Sequence, residues 1–111
     1  MSSTRLDMIS EMLEKNPKDT FLNYAAALEH KKDEEIDKAI KIFKRIVDID
    51  PDYLPTYYQL GKLLEQTGHT DQAIRIYQRG KVLARAKNDV KAVGELSEAL
   101  LILDVDDETN F

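Results

Sequence analysis

The chain has 111 residues and contains no cysteine, no tryptophan, only four glycines and only three prolines. Without cysteine there can be neither a disulfide framework nor a thiolate metal site, a composition that fits a reducing compartment. No apolar run approaches the roughly 18 residues needed to cross a bilayer. The opening stretch from Met1 to Ile9 lacks the apolar core of about 7–15 residues that marks a secretory signal. These absences lead to the expectation of a soluble, cytoplasmic protein with no membrane role. Basic residues are also in short supply, 16 against 21 acidic ones, for a net charge of −5. Binding to nucleic acid relies on Lys and Arg neutralising phosphates, so this balance argues against it.

Chemistry is equally poorly provided for. The two histidines, His30 and His69, lie 39 apart and are expected in structural or solvated roles. Glu34, Glu35 and Asp37 read as helix-start charges favoured by the macrodipole. There is no Ser–His–Asp spacing, glycine-rich phosphate loop or His–Glu metal motif. No catalytic residue, cofactor or metal is expected, and the chain is read as a non-enzyme.

What the chain does have is a period. Pro17 and Pro51 are 34 apart, as are Tyr24 and Tyr58, Ala27 and Gly61, Ala39 and Ala73, and Phe43 and Tyr77. A fixed spacing of this size marks stacked supersecondary units, none of which can bury its apolar face alone. Composition rich in Ala, Leu, Ile, Lys and Glu makes those units helical. Six helices follow from apolar spacing and punctuation. The first runs from Thr4 to Lys15, with Leu6, Ile9 and Leu13 on one face, and ends at Asn16-Pro17. The second, Thr20 to Lys31, has Asp19 as N-cap. The third, Glu35 to Asp48, carries an apolar stripe of Ala39, Ile40, Phe43, Ile46 and Val47, opposite Lys38, Lys41, Lys44 and Arg45. The fourth begins near Leu54, tolerates Pro55 in its first turn, buries Tyr57, Leu60, Gly61 and Leu64, and stops at Gly68. Thr70 is read as the cap of the fifth, which runs to Ala86. Asn88 or Asp89 caps the sixth, Val90 to Leu103. Short connections make neighbouring helices antiparallel pairs.

The second repeat reads Tyr57-x2-Leu60-Gly61-x2-Leu64, then Ala73-x3-Tyr77. The first reads Asn23-x2-Ala26-Ala27-x2-His30, then Ala39-x3-Phe43, then Pro51. This pattern resembles the tetratricopeptide repeat (TPR). It departs from the family where Asn23 and His30 replace aromatics, where Arg85 replaces the closing proline, and where Gly80 stands in place of alanine. The resemblance implies an all-α fold, a short right-handed superhelix of antiparallel helix pairs with about six helices. The domain plan is one TPR-like domain over residues 1–111. It comprises a half-repeat helix at 4–15, repeats at 20–53 and 54–87, a capping helix at 88–103 and an acidic tail at 104–111. In register, the first helix corresponds to the second helix of a preceding unit, and the sixth takes the place of the first helix of a following one.

The resemblance also implies a non-enzymatic module that binds a peptide or partner protein in a concave groove. Carried over, the groove face has Phe21, Tyr24, Leu28 and Lys31 in repeat one and Tyr58, Lys62 and Glu65 in repeat two. The competing reading is that Tyr24 and Leu28 simply pack against neighbouring helices. One subgroup grips chaperone C-termini with a carboxylate clamp. The corresponding positions here are Tyr24, Leu28, Gln59, Asp89 and Val93, none of them a cation, so no such clamp is expected. Separately, Leu100 to Leu103 are consecutive apolar residues that sweep most of the circumference of the sixth helix. Leu101 and Ile102 therefore mark a self-association surface, and a homodimer built on it is the alternative function. A tail folding back over this patch is the competing reading.

Overall fold

The computed structural model describes residues 4–103. Among them are six α-helices and no strand: α1 (Thr4–Lys15), α2 (Thr20–Lys32), α3 (Ile36–Ile49), α4 (Pro55–Gln66), α5 (Thr70–Ala86) and α6 (Val90–Ile102). This is the all-α class expected from the sequence. The acidic stretch expected at 104–111 lies outside the described residues. The chain forms two compact units, Met1–Thr56 and Tyr57–Phe111. In the first, α2 packs against both α3 and α1. In the second, α5 packs against α6 and, through Gly61 and Tyr77, against α4.

Local chemistry sets the helix ends. The Asp19 carboxylate accepts a hydrogen bond from the Leu22 amide at 2.9 Å, and that of Asp89 accepts one from Ala92 at 3.0 Å. Each satisfies an amide that has no partner within its helix. Three helices end in one way. A residue in the left-handed region, Glu34 (φ 60°), Gly68 (φ 81°) or Asn88 (φ 56°), reverses the chain. The next amide then bonds back to a carbonyl five residues earlier: Glu35 to His30 at 2.8 Å, His69 to Leu64 at 2.8 Å, Asp89 to Ala84 at 2.9 Å. These bonds close carbonyls that the helix leaves open.

The sequence reading places the cap of α5 at Thr70, but the structure places His69 there, with no side-chain capping bond. The cause is the turn after Gly68. Its closing amide belongs to His69, so helical geometry starts at the next residue. The His69 ring turns to the Thr67 hydroxyl, 2.9 Å from Nδ1.

Small residues and large ones alternate in the core, as the repeat pattern requires. Ala27, Ala39 and Ala73 are fully buried, and so are Phe43, Tyr77 and Leu60. Gly61 is obligatory, because a Cβ there would overlap the Tyr77 ring, with Cδ1 only 2.6 Å away. Gly80, where the family pattern calls for alanine, is explained in the same way. A Cβ would lie 2.7 Å from Tyr57 Cβ and 3.2 Å from Leu96 Cδ1. Asn23, in the place of an aromatic, is buried because its amide donates to the carbonyls of Pro17 (3.0 Å) and Asp19 (2.8 Å). It ties the turn before α2 to that helix.

Two helical glycines therefore predict opposite outcomes. Gly80→Ala should destabilise the protein by about 1–3 kcal/mol through overpacking against Tyr57. Gly94 has open space around the position of a Cβ, so Gly94→Ala should stabilise by roughly 0.5–1 kcal/mol through helix propensity. Urea unfolding of both variants checks this, and equal shifts in one direction would contradict it.

Candidate functional site

Within the first unit, Phe21, Tyr24, Leu28 and Lys31 recur at spacings of three and four and so share one face of α2. Phe21 is 69% exposed, a large ring offered to solvent near the start of the helix. Tyr24 is only half-buried, but its ring is engaged edge-on with Phe43 (5.8 Å, 63°) and with Tyr53 (5.3 Å, 68°). Leu28 and Lys31 are half-buried. The face thus combines one free aromatic with one aromatic that is already packed.

In the second unit, the structure brings Tyr58, Lys62 and Glu65 of α4 together with Tyr77 of α5. The Tyr58 ring lies 6.3 Å from that of Tyr77. The Lys62 ammonium stands over the Tyr58 ring, 5.5 Å from its centroid, and 3.9 Å from the Glu65 carboxylate. A cation over a ring face is attracted by the ring quadrupole. Tyr77 donates its hydroxyl to Glu65. Burial, then the bond to Glu65, holds the Tyr77 phenol well above its ordinary range, so it stays protonated. The Tyr24–Phe43 and Tyr58–Tyr77 pairs are equivalent through the 34-residue period, and the second-helix ring carries a hydroxyl only in the second pair. Sequence reasoning missed the Tyr77–Glu65 bond. Its signal was a paired change at one offset: Phe43 becomes Tyr77 where Lys31 becomes Glu65.

Glu35, read as a simple helix-start charge, has partners. Its carboxylate lies 2.9 Å from His30 Nδ1 and 3.0 Å from Lys38 Nζ. His30 thereby joins the end of α2 to the start of α3, in place of the aromatic of the family pattern. The hydrogen bond with His30, then that from Lys38, lowers the Glu35 pKa. Among the described residues no group of three or more His, Asp or Glu is placed to hold a metal ion, and no helix is long and apolar enough to cross a membrane. On α6, Leu100 is buried, whereas Leu101 is 73% and Ile102 66% exposed.

Because its folded pKa is depressed, Glu35 contributes stability that is complete above the ordinary carboxylate range. That contribution is lost as pH falls through the lowered value. His30→Ala should move the Glu35 midpoint, followed by carboxylate carbon NMR, upward toward the ordinary value. A midpoint unchanged by the substitution would contradict the assigned cause.

Comparison with known proteins matches the helical architecture. A family model described as Tetratricopeptide repeat matches residues 30–93. The crystal structure of a tetratricopeptide repeat domain protein from Salinibacter ruber is similar at 42% identity and a TM-score of 0.74, covering 78% of this chain and 96% of that one. A solution structure of a Bordetella parapertussis protein has a TM-score of 0.79 at 24% identity, covering 94% of this chain and 90% of its own. The TPR2B domain of yeast Sti1, solved in complex with pHsp70, has a TM-score of 0.77 at 15% identity, covering 84% and 74%. These last two likenesses concern the fold alone. No curated protein matches the chain.

Proposed function

The chain belongs to the tetratricopeptide repeat family, and on that premise we propose that it is a non-enzymatic module that binds a peptide or partner protein through the first-helix face of each repeat. The contact residues in this reading are Phe21, Tyr24, Leu28 and Lys31 on α2, and Tyr58, Lys62 and Glu65 on α4. The observation that carries it is the ring of Phe21, exposed on the face the family uses. Aromatic anchors of this kind supply much of the energy of peptide interfaces. Lys62 and Glu65 add a cation and an anion one helical turn apart on the equivalent helix, so polar groups flank the aromatic contacts. A cysteine-free chain suits a reducing compartment, and we place the protein in the cytoplasm.

Packing directs the choice of test variants. Tyr24→Ala would remove ring contacts with Phe43 and Tyr53 and so confound binding with stability. Phe21→Ser and Lys62→Gln disturb less. Peptides selected from a displayed random library should lose about tenfold in affinity with either variant, equivalent to about 1.4 kcal/mol, at an unchanged unfolding midpoint. Full affinity in both would remove the reading. With no cation at the clamp positions Tyr24, Leu28, Gln59, Asp89 and Val93, amidating the C-terminus of a bound peptide should not weaken it.

The exposure of Leu101 and Ile102 favours a second reading, self-association through α6 as a homodimer. Apolar side chains clustered on an otherwise polar surface mark interaction sites. A Leu101→Glu, Ile102→Glu double variant should sediment as a monomer at concentrations where the unmodified chain is larger.

A further inference from the structure

Basic residues are outnumbered in the chain as a whole, yet they crowd into one stretch of it. Residues 75–91 hold six cations, Arg75, Arg79, Lys81, Arg85, Lys87 and Lys91, against one anion, Asp89, for a local charge of +5. The chain totals −5, so the remaining residues carry −10 between them. Elsewhere cations sit beside carboxylates: Arg5 by Glu29, Lys38 by Glu35, Lys62 by Glu65. Among the described residues, Arg75, Arg79, Lys87 and Lys91 form no ion pair.

The helical part of this stretch sets two of these cations on one face. On α5, Asp71, Arg75, Arg79, Val82 and Ala86 recur at spacings of three and four and so share that face. All five are exposed, Val82 at 67%. Ala73, Tyr77, Gly80 and Ala84, on the opposite side of the helix, are buried. The Arg79 guanidinium stands over the ring of buried Tyr57, 5.7 Å from its centroid. A guanidinium held on a ring has fewer conformations to lose when it grips a ligand.

The equivalent face of repeat one shows that this arrangement is not common to both outer faces. Thirty-four residues earlier the stripe reads Asp37, Lys41, Arg45 and Asp48, two cations between two anions, all exposed. In repeat two Val82 replaces the second anion, and the arginine pair runs directly into apolar surface. Water solvates an aspartate better than a valine, so solubility does not call for that exchange.

We propose that this face of α5 receives an acidic amphipathic helix of a partner protein. Arg75 and Arg79 are one turn apart, about 6 Å along the axis. Carboxylates at positions i and i+4 of a second helix have the same separation, and an apolar side chain at i+7 then meets Val82. The guanidinium fork takes each carboxylate in two parallel hydrogen bonds. A bilayer or a nucleic acid is broader than this stripe and would face the acid excess of the rest of the chain, whereas a single helix covers the stripe alone. The face shares no residue with the binding face read on α2 and α4, and the proposal does not rest on that reading.

A labelled helical peptide tests it. The probe is alanine-rich, about 18 residues long so that a helix can form, with Glu, Glu and Leu at successive spacings of four and three. Fluorescence anisotropy at low salt should show it binding the unmodified chain. Arg75→Gln with Arg79→Gln should weaken binding about tenfold, the scale of two exposed ion pairs together. Val82→Ser should weaken it by on the order of threefold through lost apolar contact. Lys41→Gln with Arg45→Gln removes the same charge from repeat one and should leave the affinity unchanged, as should Phe21→Ser. If the repeat-one variant loses as much as the repeat-two variant, the attraction is one of general charge and the proposal falls. It falls equally if the probe does not bind, or if a probe with Gln in place of Glu binds as well. Vesicles containing phosphatidylserine that bind the chain through Arg75 and Arg79, where the peptide does not, would also overturn it. Arg75→Gln alone, which leaves Arg79 on the Tyr57 ring, should still cost about threefold, and unfolding midpoints confirm that each variant is folded.

Discussion

A ring from the second helix of each repeat, pressed against the first helix, is the contact on which the rest of the molecule depends. Tyr77 occupies the space that Gly61 vacates, and Phe43 meets Tyr24 at the equivalent place. Interiors pack at the density of organic crystals, so such contacts tolerate little change in volume. The spacing of the first-helix residues follows from them. Tyr58 and Glu65 lie one turn either side of Gly61, and both therefore reach Tyr77. The candidate binding face of repeat two is thus held by the same ring that holds its core.

Much of the fold was legible because its signals are local. Asp19 and Asp89 have the short acceptor that a helix start needs, and Gly68 has the freedom that a helix end needs. The 34-residue period carried the pairing of small and large residues. What escaped was chemistry formed between elements at irregular places. Asn23 looked like a defect in the repeat pattern, but the carbonyls to which its side-chain amide donates belong to the turn before its own helix. His30 and Glu35 looked unconnected, one a repeat position and the other a helix-start charge, because only the folded turn at Glu34 brings them to 2.9 Å. The cap of the fifth helix was too easily placed at Thr70, since a good capping residue is not a cap when the preceding turn has already set the boundary.

The candidate site was legible as positions and less so as neighbours. Tyr24 and Tyr58 share a register, yet one sits between Phe43 and Tyr53 while the other lies beneath the Lys62 ammonium. The difference arises outside the aligned positions: Tyr53 belongs to the connection after α3, and Lys62 stands where repeat one has Leu28. A period in sequence therefore fixes which residues face a common direction without fixing what each touches. The same limit applies to α6, whose buried Leu96, Ala99 and Leu100 stand 36 residues after Leu60, Leu63 and Leu64 instead of 34.

Glu34 and Gly68 hold equivalent left-handed positions, but only Gly68 does so without a steric penalty. A residue with a side chain in this region is strained by about 1–3 kcal/mol. The connection between α2 and α3 therefore carries strain that its counterpart between α4 and α5 lacks, although both close with the same 2.8 Å hydrogen bond. Local opening draws on the least stable parts of a structure. The first hairpin is consequently the more prone to part at its bend, where solvent deuterium and proteases gain earliest entry to the backbone.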